Sequence, residues 1–192
     1  MIKIELKGEE FAKVMAFCHK KNTHRPLMHI KASFEDDSIK LAATDGSALA
    51  VFSRKKKESE TIPQESFSFC IPAVEFLKPA QLKKQIVQIE SADGKIFKMQ
   101  VGAANYNFQK EDFTFPNYKL VMKTDTWQPL TAYRLFKHEY LKKVADTIGD
   151  ATYKRPYTQS NEHSTPCQWD YEETSGAKWE IVLMPIKTKE VC

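Results

Sequence analysis

Residue types that carry out covalent chemistry or bind metals are few in this sequence and widely spaced. Its four cysteines and five histidines form neither a Cys-x-x-Cys pair nor a metal-ligand spacing, so no zinc site or dithiol redox motif is indicated. Ser47 follows Gly46, but the sequence contains no Gly-x-Ser-x-Gly nucleophile elbow and no glycine-rich phosphate loop. We therefore predict a binding protein that is not an enzyme and that holds no metal or cofactor.

The charge balance limits the possible partners. The chain of 192 residues has a net charge of +4; residues 1–124 hold 20 Lys and Arg against 15 Asp and Glu, and residues 125–192 hold 9 against 10. Proteins that bind DNA tightly usually have a larger excess of basic residues. The small excess here is consistent with weak contact with phosphates, or with a role in solubility alone. The N-terminus is charged and no apolar run approaches the ~20 residues that span a bilayer, so we expect a soluble, cytoplasmic protein without membrane contact.

The strongest local signal is a hairpin between Ile39 and Phe52. Asp45-Gly46 separates an alternating run from an apolar run, and Asp-Gly favours a tight turn because glycine adopts positive φ at little cost. The second run, from Ala48 to Phe52, is almost wholly apolar, which predicts a strand buried on both faces. On composition alone, this is an ordinary hairpin in an ordinary sheet. The charge run 54–57 that follows predicts an exposed loop.

Three segments predict helices with one apolar stripe each. Pro72 opens the shortest of them, which Pro79 ends or kinks. The other two are predicted at residues 9–21 and 138–148. Their stripes are Phe11, Val14, Met15 and Cys18, and Leu141, Val144, Ala145 and Ile148.

Each predicted helix follows a strand and precedes further strands. This pattern begins at Ile2, Ser66 and Tyr133, about every 65 residues. The third repeat predicts strands near 133–136, 151–157, 166–171 and 178–185. A helix with one apolar stripe must lie on a sheet to bury it, so the sequence predicts an α+β fold of three modules, each a helix on an antiparallel sheet.

Six short segments, in order along the chain, resemble those of one protein family. They are Arg25-Pro26-Leu27-Met28, Ala43 to Ala50, Ile71 to Leu77, Phe115-Pro116-Asn117-Tyr118, Tyr140-Leu141 and Val182 to Ile186. The most specific are the Ala-Thr-Asp-Gly block and the Phe-Pro-x-Tyr segment. Together they resemble bacterial sliding clamps, the β subunits of DNA polymerase III, in a shortened form. Ser47 and Ala48 replace the family's His-Arg, a departure that leaves the partner motif open.

The resemblance implies the DNA-clamp fold with three half-domain modules. A bacterial clamp chain has three domains of two modules each, whereas this chain matches a complete clamp-like domain over residues 1–124 and half of one over residues 125–192. The family forms a closed ring of twelve modules around duplex DNA, and four copies of this chain would supply twelve. Alternatively, the odd module pairs with its mate in another chain, or it packs on the first domain within one chain.

The resemblance also implies a pocket that holds peptide tails of DNA polymerases and the clamp loader. It forms between the middle domain and the terminal segment, and Met adapts well to varied partners. Carried over position by position, its lining is Met28, Thr44, Gly46, Leu49, Pro116, Val121, Val182, Met184 and Pro185. The alternative for these apolar residues is that they belong to the core.

DNA contact is expected from basic residues on the helices, opposite the apolar stripes. Lysine contacts to phosphate carry no sequence information and weaken with salt, as sliding requires. The predicted residues are Lys13, Lys20, Lys21, Lys78, Lys83, Lys84, Lys142 and Lys143. The alternative for each of them is a solvated helix face.

The resemblance therefore implies a homo-oligomeric processivity factor that encircles duplex DNA and tethers replication proteins. The rival hypothesis is an adaptor or decoy that keeps the clamp fold and binds clamp partners or a host clamp without encircling DNA. The low net charge and the missing first domain favour the rival.

Overall fold

The computed structural model describes residues 1–20, 25–82, 84–131, 134–149, 156–160, 162 and 164–186. Twelve strands lie in this part of the chain: β1 (Ile2–Lys7), β2 (Ile30–Glu35), β3 (Ser38–Thr44), β4 (Ala48–Lys55), β5 (Phe67–Ile71), β6 (Ile86–Ser91), β7 (Ile96–Val101), β8 (Ala104–Gln109), β9 (Gln128–Pro129), β10 (Tyr157–Thr158), β11 (Cys167–Glu172) and β12 (Lys178–Leu183). The helices are α1 (Gly8–Met15), α2 (Ala73–Phe76), α3 (Pro79–Leu82) and α4 (His138–Ile148), with 3₁₀ turns at Arg25–Met28 and Tyr118–Val121.

The described strands form two antiparallel sheets that exchange their first strands. The four-stranded sheet has the order β1-β6-β7-β8, and the eight-stranded sheet has the order β5-β2-β3-β4-β12-β11-β10-β9. The first strand of the first module thus pairs with the second module, since Ile2 lies opposite Ser91. The first strand of the second module pairs in turn with the first, since Ile71 lies opposite Ile30. The α+β fold with antiparallel sheets is confirmed.

The third module continues the sheet of the first module within the same chain. Strand β12 pairs with β4, with Val182 opposite Leu49 and Trp179 opposite Phe52. Packing of the odd module on the first domain was one of the alternatives that the sequence left open. Because this sheet crosses the boundary near residue 124, the division into residues 1–124 and 125–192 stays a prediction.

Helix α1 carries the first three residues of the predicted stripe, and Phe11, Val14 and Met15 are all buried in the core. Its first residue is Gly8, where α3 approaches so closely that a Cβ would lie 2.0 Å from the Leu82 carbonyl oxygen, so only glycine fits. The helix ends at Met15, six residues before the predicted end. Within the described residues, the chain after Met15 continues as turns that still bury Phe17.

The second predicted helix is divided into α2 and α3. Leu77 between them is extended, with φ −125° and ψ 147°. Lys78 precedes a proline, a position that disfavours helical geometry, so the helix is interrupted before Pro79, as predicted, and Pro79 then begins α3.

Helix α4 lies where it was predicted, and its buried face overlaps the predicted stripe in part. Val144 and Ile148 are buried as predicted, but Tyr140 and Thr147 are buried with them, whereas Leu141 is exposed. Thr147 is tolerated inside because its hydroxyl donates to the Lys143 carbonyl oxygen at 2.7 Å.

The remaining strand predictions of the third module hold in part. Residues 134–136 form no strand, and Tyr133 lies outside the described residues. Of the predicted segment 151–157 only Pro156 and Tyr157 are described, and Tyr157 begins β10. The two final strands are confirmed as β11 and β12, shifted by one or two residues at their ends.

The charge run after β4 is not simply an exposed loop. Strand β4 continues to Lys55, and the Arg54 guanidinium contacts both carboxylate oxygens of Glu60, at 2.6 and 2.8 Å. Arg54 also donates to the Glu5 carbonyl oxygen, so the pair joins β1, β4 and the loop after β4. Burial opposes ionisation of Glu60, but Arg54 and the backbone N–H groups of Lys57 and Glu5 hold its pKa below the usual value.

We predict that Glu60→Ala lowers the free energy of unfolding at pH 7 by about 3–5 kcal/mol, because it leaves the mostly buried Arg54 guanidinium without its carboxylate partner. A depressed carboxyl pKa contributes stability above the unfolded-state pKa, and this is lost as the pH falls through the folded-state pKa. Urea unfolding should therefore show a smaller difference from wild type at about pH 3. Glu58→Ala, at an exposed neighbouring position, is the control. Equal stability of Glu60→Ala and wild type at pH 7 would contradict the prediction.

Candidate partner-binding site and nucleic-acid interface

A second hydrophobic cluster lies apart from the main core, where β4 meets β12. Leu49 and Val182 face each other across these strands and are 4% and 2% exposed. The other buried members are Ala42, Val51, Cys70, Phe115 and Tyr118. Residues 113–122, which we name the covering segment, supply Phe115 and Tyr118 and pack Phe113 and Met122 around the cluster. Pro116 keeps this segment from pairing as a central strand, so it covers the cluster with side chains alone.

Ion pairs hold the covering segment and the chain after it. The Lys119 ammonium lies 3.2 Å from Glu35, whose pKa is lowered by its contacts with Lys40 and Lys119. Just beyond the segment, Lys123 pairs with Asp170 at 2.7 Å, which raises the pKa of Lys123. Burial raises the pKa of Tyr118, as expected for a phenol inside the cluster.

The Thr-Asp-Gly signature builds the turn between β3 and β4. The Thr44 hydroxyl donates to the Ala48 carbonyl oxygen at 2.8 Å and accepts from the Gly46 N–H at 3.0 Å. Asp45 accepts the N–H groups of Ser47 and Ala48 at 3.0 and 2.9 Å. Gly46 has φ +91°, a conformation that a side chain would strain. These residues therefore hold the turn between β3 and β4.

The structure brings most of the predicted partner-binding residues to this junction. The Met184 N–H donates to the Ser47 carbonyl oxygen at 2.9 Å, so the end of β12 adjoins the turn. Met184 and Val121 are 40% and 37% exposed, and Pro116 is exposed. Met28 and Pro185 are buried.

Leu49 and Val182 are covered by the chain's own covering segment. A partner would contact these two side chains only by displacing that segment. The predicted set did not include Tyr118, which is buried in the cluster, or Leu120, which is 81% exposed in the covering segment. Tyr118 belongs to the Phe-Pro-x-Tyr segment, which supports the family resemblance and so marked this part of the chain.

Helices α1, α3 and α4 form the layer that carries the predicted DNA-facing lysines. Helix α1 contacts both α3 and α4, and α1 and α4 both contact the eight-stranded sheet. Lys20, Lys78, Lys84 and Lys142 are exposed. Lys21 and Lys83 lie outside the described residues. Exposed carboxylates of Glu9, Glu139 and Asp146 lie on α1 and α4 of this layer, so its basic character is weak.

Two of the predicted lysines are engaged within the chain. Lys13 pairs with Glu9 at 3.3 Å and lies over the Trp179 ring. Lys143 pairs with Asp45 at 3.0 Å and lies over the rings of Phe17 and Tyr140. Lys143 thus ties α4 to the signature turn. Beside this pair, burial raises the pKa of Cys18 to about 12, so its thiol is protonated at neutral pH.

Comparison with known structures identifies the architecture. No protein-family model and no curated protein matches the chain. The β subunit of DNA polymerase III from Pseudomonas aeruginosa superimposes with a TM-score of 0.67 at 13% identity, covering 98% of this chain and 66% of that one. This chain has the DNA-clamp fold. It spans about two thirds of that clamp's length.

Clamps of other origin give the same result. The β subunit from Thermotoga maritima matches with a TM-score of 0.65 at 14% identity, covering 98% of this chain and 66% of that one. A structure of the C-terminal region of FEN-1 bound to A. fulgidus PCNA matches with a TM-score of 0.67 at 14% identity, covering 99% of this chain and 100% of that one. The resemblance to sliding clamps is thus confirmed for the fold. None of the described helices is long and apolar enough to cross a membrane.

We predict that Asp45 and Lys143 are energetically coupled. In a double-mutant cycle with Asp45→Asn and Lys143→Met, urea unfolding should give a coupling free energy of about 0.5–3 kcal/mol, because the pair is partly buried. The control cycle replaces the exposed Lys142 instead and should give a value near zero. Additive effects of Asp45→Asn and Lys143→Met would show that the ion pair does not connect α4 to the turn.

Proposed function

We propose that this protein is a sliding-clamp-like processivity factor of DNA replication, active in the cytoplasm. In this proposal, copies of the chain form a ring around duplex DNA and tether replication proteins through the surface at the β4–β12 junction. The observation that carries it is the clamp fold over nearly the whole chain, with the helices in one layer. No step of covalent chemistry belongs to this function.

The helical layer supports weak, sequence-independent contact with DNA. Lys20, Lys78, Lys84 and Lys142 project from the layer, while its exposed carboxylates limit the total attraction. Weak phosphate contacts suit a protein that must move along the duplex, because tight ones would hold it in place.

The junction surface supports binding of peptide tails from a DNA polymerase or a clamp loader. Leu120, Val121 and Met184 expose apolar side chains beside a cluster of buried ones. The FEN-1 structure shows that a C-terminal region binds PCNA, a protein of the same fold. By analogy, the occupant here is a short apolar tail that competes with the covering segment.

A closed ring requires several copies of the chain. The number of modules per chain is the basis for proposing a homotetramer. Four copies supply the twelve modules of a closed clamp. Among the strands that the structure describes, β8 is paired on one side only, and its other edge is available for contact between copies.

We expect the double variant Lys20→Glu, Lys142→Glu to weaken loading on circular DNA without unfolding the chain. The loss of two phosphate contacts per copy should reduce the slope of log affinity against log salt by about 2 per copy. Loading is measured as co-elution with a nicked plasmid and its release after linearisation.

The matched control for this test is Lys95→Glu, Lys98→Glu, whose lysines are exposed on or beside β7. Unchanged loading of the helix variant would contradict the DNA-facing assignment. Binding of polymerase tails without any topological retention of the wild type would favour an adaptor that does not encircle DNA.

We also expect Leu120→Ser, Met184→Ser to weaken binding of a synthetic peptide copied from a bacterial polymerase tail by about tenfold, which corresponds to the loss of ~1.4 kcal/mol of apolar contact. Fluorescence anisotropy of the labelled peptide measures the dissociation constant. Ile96→Ser removes a side chain that is 58% exposed elsewhere and should leave binding unchanged. Equal affinities of all three proteins would place the peptide site away from the junction.

A further inference from the structure

Strand β8 is the longest strand edge that the described structure leaves without a partner. Of the other sheet ends, β1 is bridged to Thr61 through two hydrogen bonds of 2.8 and 2.9 Å to Lys3. Strand β9 has two residues, one of them Pro129, and β5 has five. Strand β8 has six residues, Ala-Asn-Tyr-Asn-Phe-Gln, with no lysine, proline or charge that would discourage pairing.

The register with β7 determines which backbone groups of β8 are free. The Lys110 N–H donates to the Lys95 carbonyl oxygen at 2.7 Å, and Val101 lies opposite Ala104 at the hairpin turn. Backbone groups alternate in direction along a strand, so the even-numbered residues bond to β7. The N–H and C=O groups of Asn105, Asn107 and Gln109 therefore point away from the sheet.

We propose that β8 binds β8 of a second copy of this chain as an antiparallel pair, with Asn107 opposite Asn107. In an antiparallel pair, the side chains of two directly opposite residues point to the same face of the sheet. The two-fold axis between the copies must therefore pass through one residue position and not between two neighbouring residues. Centring on Asn107 also sets Asn105 opposite Gln109. The N–H and C=O groups of Asn105, Asn107 and Gln109 then form hydrogen bonds with the second copy, giving about six backbone hydrogen bonds in total.

The side chains of β8 are complementary to themselves in this register. On one face, the amides of Asn105, Asn107 and Gln109 meet each other without like-charge repulsion. On the other face, Tyr106 of each copy lies opposite Phe108 of the other, an aromatic pairing that stabilises antiparallel strands. Tyr106 is only partly buried and stacks on Phe76 at 5.5 Å, so the second copy would cover its exposed remainder.

This contact deepens the proposed function, on which its biological role rests. Because both copies use the same strand, neighbours across it are related by a two-fold axis and point in opposite directions. Each copy has one β8, so this contact alone joins two copies, and a ring built from such pairs closes through a second contact and contains an even number of copies. Four copies meet this condition and three do not.

Cysteine cross-linking tests the register in the full chain, with Cys192→Ser in the background. In Asn107→Cys, the new thiols of two copies lie at directly opposite positions, with Cα atoms about 5.5 Å apart, which a disulfide can span. In the matched control Asn105→Cys, they lie about 14 Å apart and cannot bond. We expect mild oxidation to double the mass of Asn107→Cys from the 22.1 kDa chain and to leave Asn105→Cys unlinked.

A second variant tests the backbone contact. Asn107→Pro removes only an N–H that points away from β7, so the far-ultraviolet circular dichroism should be unchanged while light scattering shows the loss of the assembly. Asn107→Ser retains the N–H and should assemble as the wild type does.

The outcomes separate this inference from the proposed function. Equal cross-linking of both cysteine variants, no cross-linking of either, or assembly of Asn107→Pro would overturn the β8 pairing. If the protein is nevertheless retained on circular DNA, the proposed function survives with a different contact between copies. Cross-linking of Asn107→Cys without retention of the wild type on circular DNA would support the pairing and contradict the ring around DNA.

Discussion

The pairing of β4 with β12 is the interaction on which the rest of the structure depends. It makes one sheet of the first and third modules, and both faces of the joint are packed. On the helix side, Phe52 and Trp179 lie with ring centroids 4.7 Å apart, and Trp179 is fully buried. On the opposite side, Leu49 and Val182 form the centre of the cluster under the covering segment. Burial on both faces explains why β4 reads as a continuous apolar run instead of alternating. The helical layer and the junction surface are both positioned by this one contact.

The sequence predicted well what depends on local pattern. The Asp-Gly turn, the stripe of α1 and the apolar run of β4 each follow from residues that are neighbours in the chain. Interactions between distant segments could not be read in this way. The early end of α1, the inward face of α4 at Tyr140 and Thr147, and the pairing of Arg54 with Glu60 all depend on packing partners that lie far away in sequence. The position of the third module could not be predicted for the same reason. Three modules per chain are compatible with pairing of the third module either with another chain or with the first module of its own chain.

At the candidate site, too, the residue types could be predicted from the sequence, whereas the surroundings of each residue could not. The family resemblance located the junction, and the structure does bring Thr44, Leu49, Val182 and Met184 to it. Their roles differ, because Thr44 holds the turn and Leu49 is covered by the chain's own aromatic segment. Lys143 was predicted from its charge to face DNA, but charge alone does not reveal that Asp45 lies within reach. A lysine on a helix becomes a candidate for phosphate contact only when the fold leaves its ammonium without an internal carboxylate.

The exchange of first strands between the two leading modules has a consequence for how the chain folds during synthesis. Strand β1 is made first but lies next to β6, so Ile2 must wait until Ser91 has been made and has emerged before its ladder can form. Until then its apolar face has no permanent cover, and closing so long a loop is slow. Because each leading module completes the sheet of the other, we expect the two modules to become native together. Divided between these modules, the gene would yield two fragments that each lack a strand.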